Sequence, residues 1–206
     1  AEGLHCSSTS VRIVLAYDGV PVSEALAFGL GSGLGCFYLE FEDSSPGRVL
    51  NGRAPDLEGS FYRHAGRPLP WAGRWDPGAM AAALAAGRPV LAQTDLFHLP
   101  YYRPPVHFQG HGIVVVGVDL EAGTARIADQ GFPEVQEVDL ECLRQAMAAV
   151  APPLLPAPFR WAPAPRLEAA DLAPRRVLAA ALGRTVKVMA GEEDPAQGLP
   201  AVGRLA

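Results

Sequence analysis

The chain has 206 residues, enough for one ordinary domain with an appendage, and its 49% hydrophobic and 19% charged residues predict a folded globular protein. A formal charge of −5 without a large basic cluster argues against nucleic acid and anionic membranes as partners. Three cysteines do not build a disulfide framework, and neither a secretory signal nor a membrane-spanning run is visible, so we expect a cytoplasmic protein.

The first predicted helix begins beside Cys6. Ser7 to Ser10 carry oxygens that can cap a helix start, and an almost wholly apolar run from Val11 to Tyr17 follows. A helix that is apolar on most of its faces is usually buried. Cys6 would then lie at the N-terminus of a central helix, where unpaired amides and the helix dipole favour a thiolate. Taken alone, however, Cys6 is better explained as a small buried hydrophobe.

The stretch between the first helix and residue 87 mixes weak and strong signals for secondary structure. Ser23 is a candidate helix cap, and the alternating glycines at 29–35 lack phosphate-loop spacing, so they predict a loop or close backbone packing. Residues 36–42 alternate in polarity and predict a strand, whereas 43–75 are rich in Gly, Pro and Arg and suggest irregular structure. A helix is predicted from Asp76 to Ala86, with proline in its first turn.

Three predicted strands follow at 88–96, 111–119 and 123–129, and the last two are separated by a hairpin-length connection. Residues 138–150 form an amphipathic helix pattern. We expect an α+β domain over 1–150, in which the leading helix packs on an antiparallel sheet. A Pro-rich linker is expected over 151–165, and 166–206 should be a helical segment that begins a second domain.

Two residues of the predicted hairpin suggest chemistry. His111 lies at the start of one strand and Asp129 at the end of the next, and in an antiparallel hairpin these positions are neighbours. A carboxylate beside a histidine orients the ring and stabilises the imidazolium. Each residue alone is more often structural. With Cys6 on an N-terminal helix, however, the order along the chain is that of papain-like cysteine enzymes.

Longer segments carry a more specific resemblance. They are GLHCSSTSVRIVLAYDG, AFGLGSGLGCFYLEF, GRPVLAQTDLFHLPYY and HFQGHGIVVVGVD with ARIADQ. Together they resemble the N-terminal domain of the butirosin biosynthesis protein H family over about 1–150, and more weakly beyond. The resemblance implies a papain-like fold similar to that of the bacteriocin-processing C39 peptidases, and a role in antibiotic biosynthesis.

The resemblance also implies a reaction. An acyl group would move from the phosphopantetheine thioester of an acyl carrier protein to a small-molecule amine or hydroxyl acceptor, without a bound cofactor. It places the nucleophile on Cys6, the base on His111 and the orienting acid on Asp129. The Cys6 amide is one candidate oxyanion donor. The side chains considered for the second donor are Gln93, Gln109 and Gln130.

Other polar and aromatic residues lie near the predicted strand ends. The expected substrate-binding residues are Gln93, Asp95, Tyr101, Tyr102 and Gln109. The loop that carries the two tyrosines, with His98 and His107, fits a pocket lining and a self-packed lid equally well. The spacing of His107 and His111 suits a metal mainly on a helix, so no metal site is expected. Cys36 and Cys142 are expected to be buried packing residues.

Two other functions use the same residues. A papain-like peptidase or thioesterase would hydrolyse its substrate with the same three side chains. A non-catalytic module would only hold a carrier-bound chain, although an intact Cys-His-Asp set has no purpose in a pure binder. The apolar C-terminal helix should pack on the core or on another chain, and it is therefore a candidate surface for homo-oligomer formation.

Overall fold

The computed structural model describes residues 2–40, 48–103, 105–150, 156–194 and 196–204. The helices in these ranges are α1 (Cys6–Tyr17), α2 (Glu24–Leu30), α3 (Leu57–His64), α4 (Pro77–Ala85), α5 (Leu140–Met147), α6 (Ala169–Leu172), α7 (Arg175–Ala190) and α8 (Gly198–Gly203). The strands are β1 (Leu34–Glu40), β2 (Arg48–Arg53), β3 (Ala72–Gly73), β4 (Val90–Asp95), β5 (Gln109–Asp119), β6 (Thr124–Ala128), β7 (Gln136–Asp139) and β8 (Arg160–Pro163). The protein is thus a mixed α+β protein with an N-terminal helix.

The larger sheet has six antiparallel strands in the order β3-β8-β4-β5-β6-β7. Its central strands are buried on both faces because alternate residues point into two separate cores. On β5, Val114 joins a core with α1, α2, α3 and α7, whereas Ile113 and Val115 join a core with α4 and α5. This explains why the strand is continuously apolar rather than alternating.

The smaller sheet pairs β1 with β2 in antiparallel fashion. The outer edge of β1 is covered, since the Tyr38 amide donates to the Ala196 carbonyl at 3.1 Å and Phe37 forms a bridge with Gln197. The sheet ends at Arg53, and the chain then enters α3. This position brings the end of β2 close to the start of α1.

Most elements predicted from pattern are confirmed, namely α1, α4, α5 and the strands β1, β4, β5 and β6, and Ser23 does cap α2. The interpretation of 43–75 as irregular is wrong for β2, β3 and α3, although residues 41–47 lie outside the described residues. Helix α3 was missed because its apolar residues are few and its N-cap, Asp56, has a left-handed φ of 57° without a side-chain cap bond.

The region after α5 belongs in part to the same sheet and core. Residues 160–163, within the predicted linker, form β8 between β3 and β4, whereas 151–155 lie outside the described residues. Val177 and Ala181 of α7 are buried in the core that contains α1. The C-terminal helix therefore packs on the N-terminal part of the chain. None of the helices in the described ranges has the length and apolar character needed to cross a bilayer.

The two remaining cysteines are not buried. Cys36 on β1 and Cys142 on α5 are both partly exposed, so the expectation that they are buried packing residues is wrong. The small sheet that carries Cys36 has only two strands, and Cys142 lies beside, rather than on, the buried stripe of Leu143 and Ala146. Cys6 is the most buried of the three thiols, with 4% of its surface exposed.

Candidate active site

The start of α1 is held by a carboxylate from the next helix. Glu24 accepts hydrogen bonds from the amides of Leu4 at 3.0 Å and His5 at 2.9 Å, and from the Ser8 hydroxyl at 3.0 Å. His5 caps the helix because its Nδ1 accepts from the Ser8 amide at 3.3 Å, so the cap precedes Cys6 rather than following it. Cys6 becomes the first helical residue, whose amide has no carbonyl partner within the helix.

His111 is aimed by a bulge in β5. Gly110 has a φ of 86°, a left-handed conformation that glycine adopts without steric cost, and the register with β4 shifts between Thr94 and Asp95. An extra residue at such a point re-aims the neighbouring side chain. His111 thus points from the sheet toward the start of α1, and only 4% of it is exposed.

Asp129 directly follows β6, and the pairing of Val114 with Ala128 brings it beside His111. The Nε2 atom of His111 lies 2.8 Å from Oδ1 and 3.0 Å from Oδ2 of this fully buried carboxylate. The Gln130 amide donates to Oδ1 at 2.6 Å. The neighbourhood predicted from the hairpin is therefore present in the structure.

The Cys6 thiol and the His111 ring interact directly, and each shifts the pKa of the other. Because Nε2 is engaged by Asp129, Nδ1 is the nitrogen left for the sulfur. Burial opposes the thiolate, but the hydrogen bond and charge of His111, the charge of Arg53 and the Gly112 amide together lower the Cys6 pKa to about 7. Burial likewise opposes the imidazolium, yet Asp129 and Cys6 raise the His111 pKa to about 9. The pair therefore favours a thiolate and an imidazolium near neutral pH.

A cavity of about 510 Å³ adjoins this pair. It is lined by Leu4, His5, Cys6, Arg53, Leu96, Tyr102, Phe108, His111, Gln130, Gly131 and Phe132. A second cavity of about 490 Å³ shares His5, Arg53 and Phe108 with it and continues along β2. The space beside the sulfur is thus elongated and largely apolar, with room for a chain-like substrate.

The five residues predicted to bind substrate lie in different surroundings. Tyr102 lines the cavity, with its hydroxyl 3.3 Å from His111 Nε2, whereas Tyr101 donates to Asp129 at 2.8 Å. Gln93 accepts from Arg160 at 3.3 Å. Asp95 accepts from the Phe108 amide at 2.9 Å and from the Gln109 side chain at 3.4 Å. Gln93, Asp95 and Gln109 therefore have partners within the scaffold and are not among the residues that line the cavity beside Cys6.

Several cavity residues carried no sequence signal. Arg53 lies in the stretch interpreted as irregular, and Phe108 and Phe132 lie in connections where aromatic residues are common. Leu96 is the last residue of a predicted strand, and nothing in that pattern marks it as part of a cavity. His5, which directly precedes the nucleophile, is partly buried, and burial and the charge of Arg53 lower its pKa to about 4. Within the described ranges, no group of three or more His, Cys, Asp or Glu residues is arranged to hold a metal ion.

Comparison with known protein families shows to which family the chain belongs. Residues 5–130 match the family described as butirosin biosynthesis protein H, N-terminal, a range that includes Cys6, His111 and Asp129. The chain belongs to this family. Membership confirms the resemblance seen in the sequence and connects the protein with antibiotic biosynthesis, in an acyltransferase-like role. No curated protein matches the chain.

Proposed function

We propose that this member of the family is a papain-like cysteine acyltransferase. It takes an acyl group from the phosphopantetheine thioester of an acyl carrier protein, holds it on Cys6, and passes it to an amine or hydroxyl acceptor. The observation that carries the proposal is the buried Cys6-His111-Asp129 arrangement, in which the thiol pKa is lowered to about 7 beside an imidazolium. Family membership supports the biosynthetic setting.

Acylation follows from this charge state. The Cys6 thiolate attacks the thioester carbonyl carbon, a carbon–sulfur bond forms, and the carbonyl π electrons move to oxygen. When this tetrahedral intermediate collapses, the bond to the carrier sulfur breaks, and the departing sulfur takes the proton of the His111 imidazolium. Asp129 holds the ring in place and stabilises its charge until that proton leaves.

The acceptor completes the transfer. An amine enters the cavity after the carrier thiol leaves, and neutral His111 accepts its proton as nitrogen attacks the Cys6 thioester. The new amide forms when the carbon–Sγ bond breaks, and the thiolate and the imidazolium are restored. The walls next to the sulfur include Leu96, Phe108 and Phe132. Such apolar walls disfavour water as the acceptor, which is the reason to prefer a transferase over a hydrolase.

Intact-mass measurement tests the proposal. The protein is incubated with an acetyl-pantetheine thioester, and the expected product is one acetyl adduct that peptide mapping places on Cys6. Cys6→Ala should remove the adduct, whereas Cys36→Ala is the matched control and should retain it. Subsequent addition of a small amine should discharge the adduct as the amide. Discharge to free acetate at the same rate with and without amine would instead indicate a hydrolase.

A further inference from the structure

Arg53 contacts the sulfur of Cys6. It is the last residue of β2, and its Nη1 atom lies 3.5 Å from Cys6 Sγ and 3.2 Å from His5 Nε2. The guanidinium also lies over the Phe108 ring, 5.2 Å from its centroid. Its second terminal nitrogen, Nη2, is buried and has no hydrogen-bond partner within the described residues. A hydrogen-bond donor is thus available beside the nucleophile.

The charge of Arg53 is not neutralised by a neighbouring acid. Among the described residues, no carboxylate oxygen lies within 4.0 Å of its guanidinium, whereas Arg48 on the same strand pairs with Glu40 at 3.3 Å. His5, the other contact of Nη1, stays neutral because its pKa is lowered to about 4. The positive charge of Arg53 is therefore directed toward the sulfur and the cavity.

The position of Arg53 matches the place where negative charge develops during acylation. The oxyanion forms on the carbon that is bonded to Sγ, so it arises within the immediate surroundings of the sulfur. Donors that are already fixed there stabilise it strongly, because they need no reorganisation when the charge appears. Gln93 and Gln109 hydrogen-bond to Arg160 and Asp95, and neither lines the cavity. Gln130 does line it, but of these side chains Arg53 is the one that contacts the Cys6 sulfur.

We propose that Arg53 is a catalytic residue that binds the oxyanion of the tetrahedral intermediate, together with the backbone amide of Cys6. This inference rests on the acylation of Cys6 proposed above. Arg53 keeps its proton throughout, since it donates hydrogen bonds and no bond to it is made or broken. Arg53 would act as the second donor, a role for which the sequence offered only glutamines, and it adds a full positive charge to the oxyanion site.

Two reactions at the same sulfur separate this role from a simple effect on the thiolate. Alkylation by iodoacetamide is a displacement at saturated carbon and forms no oxyanion, whereas acylation by acetyl-pantetheine does. For Arg53→Gln we expect the acylation rate constant at saturating thioester to fall about 100-fold or more. The alkylation rate constant, measured at a pH where Cys6 is ionised in both proteins, should change far less. Arg53→Lys keeps the charge and should recover part of the loss.

Matched controls make the result decisive. Arg48→Gln removes an exposed arginine from the same strand and should leave both rates unchanged, and circular dichroism with a thermal melt establishes that each variant is folded. Equal losses in acylation and alkylation would overturn the proposal, as would a rise in KM with an unchanged rate at saturation, which would mean that Arg53 binds an anionic part of the substrate. A wild-type protein that is alkylated at Cys6 but never acylated would refute the acyltransfer function itself.

Discussion

The hydroxyl of Tyr101 donates a hydrogen bond of 2.8 Å to Oδ2 of Asp129. The carboxylate thereby has donors on both oxygens, because Oδ1 accepts from the Gln130 amide and the imidazole of His111 faces both atoms. Burial and the neighbouring charge of Asp129 raise the pKa of Tyr101, so its hydroxyl stays protonated and remains a donor. Tyr101 thus positions the carboxylate that orients His111.

Tyr101→Phe should lower the free energy of unfolding by about 1.5–3 kcal/mol, the usual range for a hydrogen bond to a charged group. The ring contacts with Tyr102 and Phe132 are retained in the variant, so the loss isolates the hydroxyl. Urea unfolding at pH 7 measures it. Tyr17→Phe is the control, since Tyr17 is 62% exposed, and it should be nearly neutral. An unchanged stability of Tyr101→Phe would show that the hydrogen bond has no net value.

The alkylation rate of Cys6 should depend on pH in a way that reveals the ion pair. Thiolate is lost as pH falls through about 7, so the iodoacetamide rate should be half-maximal near pH 7. A free thiol of pKa about 8.5 is a suitable comparison. Acylation should also decline above pH about 9, because His111 then lacks the proton that the leaving sulfur needs. The two midpoints belong to the coupled pair rather than to either residue alone.

The measurement uses the Cys36→Ala/Cys142→Ala variant, because both of those thiols are partly exposed and would otherwise be labelled as well. Mass spectrometry of the single-cysteine protein gives the rate at each pH. A midpoint at or above that of the free thiol would contradict the activated state and would favour an inert core cysteine.

His111→Ala should raise the Cys6 pKa, because burial then acts without the charge and hydrogen bond of the imidazolium. We expect the alkylation rate at pH 7 to fall about fivefold for the first unit of that rise and about tenfold for each further unit. Acylation should fall about 10²–10⁴-fold, since the general acid is also lost. Arg53 and the helix N-terminus retain a smaller share of the effect. For Asp129→Asn, both rates should lie between those of His111→Ala and those of the unchanged protein.

His107→Ala is the matched control for these variants. His107 also pairs with an aspartate, Asp95, at 2.7 Å, but its side chain is 58% exposed and does not line the cavity beside Cys6. Its loss should leave both rates within about twofold of the original. If His111→Ala behaves like His107→Ala, the histidine beside Cys6 is structural and the proposed mechanism is wrong.

Gly112→Ala should overpack the buried side of the site, where Gly112 lies against Glu58 and Ser7. A Cβ atom at this position would lie 2.6 Å from Glu58 Oε1 and 3.5 Å from the Ser7 Cα. Glu58 is 2% exposed, so it has little room to move. Overpacking of this kind costs about 1–3 kcal/mol of unfolding free energy. The Gly112 amide helps to lower the Cys6 pKa, so its displacement in the variant should shift the alkylation midpoint to higher pH.

Gly73→Ala provides the control, since an added Cβ at Gly73 meets no atom within 4 Å. Thermal melts and the alkylation profile are measured for both variants. If the Gly112→Ala protein is as stable and as reactive as Gly73→Ala, the Glu58 carboxyl group moves aside without loss of stability and this prediction is wrong.

Local pattern was sufficient for three central features of this protein. An apolar run is stable in water only when it is buried, so the run after Cys6 predicted a buried helix. The thiol then lies at the start of that helix. Two strand patterns joined by a short connection dictated an antiparallel hairpin, and that geometry alone made neighbours of His111 and Asp129. These inferences succeeded because each depends on periodicity or on residues close together in sequence.

The remaining parts of the site depend on contacts between distant segments. Arg53 reaches Cys6 across 47 positions, from the end of a strand in a stretch without clear periodicity. The sequence indicated Tyr101 and Gln93 equally as pocket residues. In the structure, Tyr101 donates to Asp129 and Gln93 accepts from Arg160. A side chain's partner is decided by the register and packing of elements far apart in the chain, and no local pattern encodes it. Sequence therefore pointed to Cys6, His111 and Asp129 as candidate residues, and only the tertiary structure decided which charges surround them.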